Sequence, residues 1–341
     1  MGRLLASLGM AALAGLARAD GLVAERLGVV FNADDPASRE LAIRYVVSRR
    51  VPYSNLVAVH LGTDRVIAPE QFTPRRATAI GRLPTRIQAL ALTWSRPFAV
   101  GCMSVTTAFA AGYRAGFCEA GCGLTTRNPL FDTDGWLPAD TVAWWPAMLI
   151  PSAPEATARR LIARGIAADG TNPPGRVYLV RTADPARNVR AITYPQIEAA
   201  LGRRLRIVEL ASAPSGEVPA AMGYFTGVRS VDELRRIHFL PGAVADHLTS
   251  TGGVLEGGHQ MPATAWLEQG ATASYGTVSE PCNRPGKFPN IEVLLKHYLR
   301  GETVLEAYWK SVQMPGQGLF VGEPLARPYA APPVASRATA R

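Results

Sequence analysis

Short apolar runs alternate with stretches of helical spacing along most of the chain. The apolar runs are rich in β-branched residues and are bounded by Gly, Pro, Asn or Asp, as strands are. The predicted strands cover residues 27–31, 56–60, 87–93, 147–150, 176–181, 205–210, 221–225, 240–245 and 271–278. Strands that alternate with helices favour a parallel sheet covered on both faces. The pattern therefore predicts a doubly wound, mostly parallel α/β domain.

Helices are predicted between these strands, and the clearest covers residues 36–49. Asp34 and Asp35 followed by Pro36 form a typical helix start. A second helix is predicted at 154–168, before Gly170. Residues 117–140 show neither the apolar spacing of a helix nor that of a strand, so we predict a Cys-containing surface insert there. The Ala/Pro-rich residues 330–341 are predicted to be a disordered tail. The predicted organisation is one domain at 20–329.

The first nineteen residues have the three parts of a secretory signal peptide. Arg3 provides the positive charge, residues 4–16 form a short apolar run, and Ala17-Arg18-Ala19 matches an A-x-A cleavage site. An uncleaved anchor or a buried helix is the alternative. No later run has the 18 apolar residues of a membrane span, so we expect no stable membrane insertion. The sequence predicts a periplasmic or secreted protein that begins at Asp20.

The formal charge of +9 falls to +7 on cleavage, because Arg3 and Arg18 are removed (9 − 2). The remaining arginines are scattered and accompany no nucleic-acid-binding motif, so nucleic acid is not a predicted partner. Four cysteines in an oxidising compartment favour one or two disulfides. Cys118 and Cys122 form a C-x3-C pair that lacks a second ligand pair, so it is a poor zinc signal. No metal or cofactor is predicted.

Several motifs go beyond general α/β patterning. They are F-N-A-D-D-P-A-S, L-T-W-S-R-P-F, D-H-L-T-S-T-G-G, G-A-T-A-S-Y-G-T-V-S-E-P-C and V-G-E-P-L-A-R-P-Y. Together they resemble an uncharacterised exported family of bacteria whose genomes carry exosortase sorting systems. This resemblance implies a link to envelope or surface-protein processing. The C-terminal third also resembles, distantly, the gingipain-type cysteine peptidases of the caspase-like fold.

The peptidase resemblance implies a catalytic pair at the ends of neighbouring strands. Such peptidases place a His after one parallel strand and a nucleophilic Cys after the next. His247 and Cys282 follow consecutive predicted strands, and Glu280 is placed to orient the His. The Gly252-Gly253 turn would offer N–H groups to an oxyanion.

Two alternatives oppose this dyad. If V-G-E-P-L-A-R-P-Y is aligned with the ending of the peptidases, the strand before Asp246 and His247 takes the place of their Cys strand. Residues 222–228 then take the place of their His strand, and the protein is an inactive relative. Alternatively, Cys282 forms a disulfide with Cys102 or with a cysteine of the insert, which removes the thiolate.

A ligand site is predicted at the carboxyl edge of the sheet under either alignment, where open α/β sheets bind ligands. Asp246, Thr249 and Ser250 are the main candidates, and Asp34 and Trp94 also follow strands. Helix capping is the alternative role of Asp34. Two functions remain open: an exported peptidase-like protein, active or inactive, and a noncatalytic module that binds a peptide or a glycan.

Overall fold

The computed structural model describes residues 21–118, 122–135 and 139–331. The predicted signal peptide and most of the predicted tail lie outside these residues. The strands are β1 (Leu27–Asn32), β2 (Leu56–Val59), β3 (Val66–Ile67), β4 (Ala89–Leu92), β5 (Ala99–Val100), β6 (Met103–Ser104), β7 (Ala147–Leu149), β8 (Arg176–Val180), β9 (Arg206–Leu210), β10 (Val218–Thr226), β11 (Ile237–His247), β12 (Ala273–Thr277) and β13 (Gly318–Gly322).

The α-helices lie around this sheet and mostly connect its strands. They are α1 (Pro36–Arg49), α2 (Pro69–Arg82), α3 (Val105–Ala111), α4 (Ala139–Val142), α5 (Glu155–Ala168), α6 (Tyr194–Leu201), α7 (Thr264–Gln269), α8 (Ile291–Leu299) and α9 (Val304–Ser311). The start of α1 is the predicted one: the Asp35 carboxylate accepts the Ala37 N–H at 3.0 Å, and Pro36 occupies the first turn. The helix ends at Arg49, and the next residue, Arg50, has a left-handed φ of 56°.

Ten strands form one sheet in the order β2-β1-β4-β7-β13-β12-β11-β10-β8-β9. In one half β1 pairs in parallel with β2 and β4, and in the other half β8, β10, β11 and β12 form a parallel series. Strand β13 is antiparallel to β12. The predicted mixed α/β class with a large, mostly parallel sheet is confirmed, and each of the nine predicted strands overlaps a strand of this sheet.

The C-terminal elements join the two halves of the sheet. Trp309 of α9 stacks on Phe320 of β13 with ring centroids 4.5 Å apart. The Trp309 indole N–H also donates to the Ala147 carbonyl of β7 at 2.9 Å. Both aromatic side chains are fully buried. The stacked pair and this hydrogen bond therefore fix α9 against the central strands β7 and β13.

Residues 122–135, which we call the strap, cross the outside of α8 and α9. The Asn128 amide donates to the carbonyls of Trp309 and Val312 at 2.6 and 2.9 Å. Farther along, Asp132 pairs with His297 of α8 at 3.1 Å. The strap contains no strand or α-helix. Backbone and side-chain hydrogen bonds to the C-terminal helices and the residues after them therefore hold it in place.

All four cysteines are paired. Cys102 bonds to Cys118, and Cys122 at the start of the strap bonds to Cys282 beyond β12. The prediction that the cysteines form disulfides is confirmed, although the sequence left their connectivity open. In the described part of the chain, no helix combines the length and the apolarity that a bilayer crossing needs.

Candidate functional site

The loops that follow β4, β11 and β12 meet on one side of the molecule. The Ser279 hydroxyl, beyond β12, donates to the Cys102 carbonyl at 2.8 Å. Arg96, beyond β4, pairs with Glu256, beyond β11, at 3.4 Å. Connecting loops that converge in this way leave clefts between them, which is where ligands of α/β folds bind.

One such opening, which we call the edge cleft, has a volume of about 310 Å³. It lies between the segments that follow β8, β11 and β12. Its lining includes Arg187, Leu248, Thr249, Ser250, Glu280 and Cys282. The structure thus brings four predicted site residues together in one cleft, namely Thr249, Ser250, Glu280 and Cys282.

Thr249 and Arg187 form the polar floor of the edge cleft. The Thr249 hydroxyl donates to the Gln260 side-chain oxygen at 2.8 Å and accepts the Arg187 Nε–H at 3.1 Å. A second Arg187 nitrogen donates to Asp184 at 2.6 Å. Ser250 is half-buried beside Thr249, and Glu280 is exposed opposite. The cleft is therefore lined by the Arg187 cation, which is paired with Asp184, by the Glu280 anion and by Ser250.

His247 lies beneath this cleft with both ring nitrogens occupied. Its Nδ1 accepts the indole N–H of Trp266 at 2.9 Å, and its Nε2 lies 3.0 Å from the Met261 carbonyl. Because an indole nitrogen only donates, the proton of the neutral ring must be on Nε2. Burial lowers the pKa of His247 to about 4. A neutral, enclosed imidazole has no nitrogen free for a thiol, which corrects the predicted base role of His247.

We expect this buried imidazole to make the protein less stable in mild acid. Between pH 6.5 and 4 the unfolded chain protonates His247 and the folded chain does not, so the free energy of unfolding decreases as the pH falls. The decrease is at most about 1.4 kcal/mol per pH unit. Urea unfolding at several pH values measures it.

To assign this pH effect to His247, the slope of the unfolding free energy with pH is compared between His247→Gln and the control variant His238→Gln. His238 is exposed, and its ring pairs only with the Glu217 side chain. The His247→Gln variant should have a smaller slope than the wild type between pH 6.5 and 4, and His238→Gln should keep the wild-type slope. Equal slopes in the wild type and both variants would contradict a sealed, neutral His247.

Cys282 is not a thiol in this structure. Its Sγ is bonded to Cys122, and its backbone N–H donates to the Glu280 carboxylate at 2.8 Å. Glu280 therefore caps the turn that holds the disulfide and makes no bond to His247. The predicted His247/Cys282/Glu280 constellation is corrected: a sulfur in a disulfide is not a nucleophile. The alternative prediction, a disulfide between Cys282 and a cysteine of the insert, is confirmed.

Asp246 is buried in an ion pair with Arg190, and its side chain is 1% exposed. The guanidinium also donates to the Thr226 carbonyl at 3.0 Å. Burial raises the pKa of Asp246, and the adjacent Arg190 charge opposes that rise. The carboxylate is thus out of reach of the edge cleft, which corrects its prediction as a ligand contact.

Two other predicted ligand contacts lie apart from the cleft. Asp34 binds the His60 ring at 2.7 Å and accepts the Gly62 N–H at 2.8 Å, and these bonds lower its pKa. Trp94 is fully buried and donates its indole N–H to the Pro97 carbonyl at 2.9 Å. The prediction of Trp94 as a ligand contact is therefore wrong, because its ring belongs to the core.

Gly252 and Gly253 allow the backbone of their turn to pack closely against the backbone of Gly276. A Cβ at Gly253 would lie 2.6 Å from the Gly276 carbonyl oxygen, and a Cβ at Gly276 would lie 2.3 Å from the Gly252 backbone. The Gly253 N–H donates to the Thr277 carbonyl at 2.9 Å. That N–H is consequently not available to an oxyanion, which corrects the predicted oxyanion role of Gly253.

Sequence reasoning missed the residues that support the site. Arg190 lies in a 3₁₀ segment without a motif, and Arg187 is the residue just before that segment. Trp266 lies 19 residues beyond its partner His247. Their polar partners become evident only in three dimensions. Among the described residues, no three His, Cys, Asp or Glu side chains are grouped to hold a metal ion.

A solved structure described as "Structure of Protease" is similar to this chain, with a TM-score of 0.51 and 11% sequence identity. The alignment covers 91% of this chain and 80% of that one. At this identity the likeness concerns the fold alone. No protein-family model and no curated protein matches the sequence. The chain therefore shares the mixed α/β fold of that solved structure, with a large, mostly parallel sheet.

Proposed function

We propose that this protein is an exported, peptidase-like protein without cysteine-peptidase activity, and that it holds a peptide in the edge cleft. The observation that supports this proposal most directly is the bonding of His247 and Cys282, the two residues of the predicted dyad. Cys282 is bonded to Cys122, and both nitrogens of His247 are hydrogen-bonded in the interior. Peptide hydrolysis by a thiol needs a thiolate and a base that can exchange its proton.

The order of the last strands supports an inactive relative. Strand β11 is followed by β12 and by the antiparallel β13, and Glu323-Pro324 come directly after β13. If this ending is aligned with the ending of the peptidases, β10 and β11 take the places of their His and Cys strands. The segments that follow them, Gly227-Val228 and Leu248-Thr249-Ser250, contain neither residue type.

The chemistry of the edge cleft favours a peptide as its occupant. Arg187 and Glu280 place opposite charges on its walls, and Ser250 adds a hydroxyl. Peptide groups carry both donors and acceptors, so they complement such a lining. The signal-peptide pattern motivates export, and the motif resemblance motivates a role in envelope or surface-protein processing.

The test uses the protein from Asp20 onward, kept oxidised. We expect no cleavage of a mixed peptide library, and we expect peptide binding in fluorescence anisotropy. Ser250→Trp fills the cleft and should weaken binding at least about tenfold, the usual scale of one lost side-chain pocket. Ser48→Trp on exposed α1 is the matched control and should bind normally.

Two results would overturn the proposal. One is peptide cleavage that disappears in Cys282→Ala or Ser250→Ala. The other is binding to oligosaccharides in place of peptides, with the same sensitivity to Ser250→Trp, which would make the edge cleft a glycan site.

A further inference from the structure

A second cavity lies beside the edge cleft, and we call it the side pocket. Its volume is about 170 Å³, and its walls are mostly apolar: Phe131, Val189, Ile192, Phe288 and Ile291. Ile192 is 80% exposed, a high value for a large aliphatic side chain. Exposed apolar groups beside a concave surface are typical of binding sites.

The charged group in the side pocket is already neutralised. Arg190 lines the cavity, and its guanidinium is paired with the buried Asp246. Because the Arg190 charge is already balanced by Asp246, the pocket offers a ligand ion no unpaired counter-charge. The lining therefore suits an uncharged apolar group.

The side pocket and the edge cleft share a wall. Phe288 lines both cavities. The segment after β8 also lines both, with Arg187 in the cleft and Val189 in the pocket. An extended chain in the cleft can therefore direct a side chain past Phe288 into the pocket.

We propose that the side pocket binds an aliphatic or aromatic side chain of the peptide held in the edge cleft. The proposal rests on the proposed function, and it adds the substrate class: peptides with a large apolar residue. The strap takes part through Phe131, so the insert contributes to ligand selection.

The experiment compares acetylated five-residue peptide amides that differ only at the central position, which is Leu, Phe, Gly, Lys or Asp. We expect the Leu and Phe peptides to bind at least about tenfold more tightly than the other three, the discrimination usual for an apolar pocket. Ile192→Asp should abolish this preference and leave binding of the Gly peptide unchanged. Val189→Trp, which fills the pocket, should do the same.

Ile43→Asp is the matched control, because Ile43 is a 40% exposed isoleucine of α1. It should keep the preference for Leu and Phe. Equal binding of all five peptides, still weakened by Ser250→Trp, would overturn the side pocket and leave the proposed function intact. If Ile192→Asp abolishes the preference for Leu and Ser250→Trp leaves peptide binding unchanged, the side pocket is upheld and the edge cleft is overturned as the peptide site. Binding of none of the peptides would overturn both.

Discussion

Replacing Asp246 by asparagine is expected to lower the free energy of unfolding by about 3–5 kcal/mol. The change keeps the shape of the side chain and removes its charge. Arg190, only 5% exposed at its side chain, then stays charged and buried without a counter-charge. Breaking one partner of a buried ion pair is far more costly than replacing both by apolar groups. Urea denaturation followed by circular dichroism measures the loss.

Two variants show whether the charge pair itself is responsible. Asp246→Leu combined with Arg190→Met removes both charges and should recover much of the stability. Asp184→Asn removes the partner of the partly exposed Arg187 and should cost less than about 1 kcal/mol. Little effect of Asp246→Asn would contradict a structural Asp246 and would restore it as a ligand residue.

Removing the Cys122–Cys282 disulfide by a double substitution to serine is expected to destabilise the protein more than removing Cys102–Cys118. The first bond joins residues 160 apart and the second joins residues 16 apart. If a disulfide stabilises the folded state by reducing the entropy of the unfolded chain, one that closes a tenfold longer loop stabilises it by about 2 kcal/mol more. Thermal unfolding of the two double variants, with the wild type as reference, measures the difference.

The location of the Cys122–Cys282 bond gives this prediction a second readout. The bond holds the start of the strap against the edge cleft, so its loss should increase hydrogen exchange in residues 122–135 and 280–284 before any other segment. The Cys102–Cys118 variant, with Cys118 buried, should disturb the core near Phe117 instead. A larger stability loss in the Cys102–Cys118 variant would contradict the expected ranking.

The strands could be predicted because each is a short, apolar run between turn residues. Strand β13 at residues 318–322 is not among the predicted strands, because a run of five residues that begins and ends with Gly is too short to show the apolar pattern of a strand. A helix is predicted between β2 and β4, but the bounds of α2 could not be given, because Pro74 and several polar residues interrupt its apolar pattern. Packing against the sheet stabilises both elements, and local sequence does not report that packing.

The cleft could be predicted in part. Thr249, Ser250, Glu280 and Cys282 were expected together, since adjacent parallel strands bring their carboxyl ends to one edge. The state of His247 and Asp246 could not be foreseen, because it depends on Trp266 and Arg190, whose contacts arise from folding. The disulfide pairing was equally open, because four cysteines allow three connectivities.

The most direct test of the central claim is mass spectrometry of the unreduced, alkylated protein. A noncatalytic edge cleft requires a linked peptide pair containing Cys122 and Cys282, with no alkylation of Cys282. The same digest should contain a Cys102–Cys118 pair, which serves as the internal control. A Cys282 peptide carrying the alkyl group, in protein that remains folded, would contradict the account and return a thiol to the cleft.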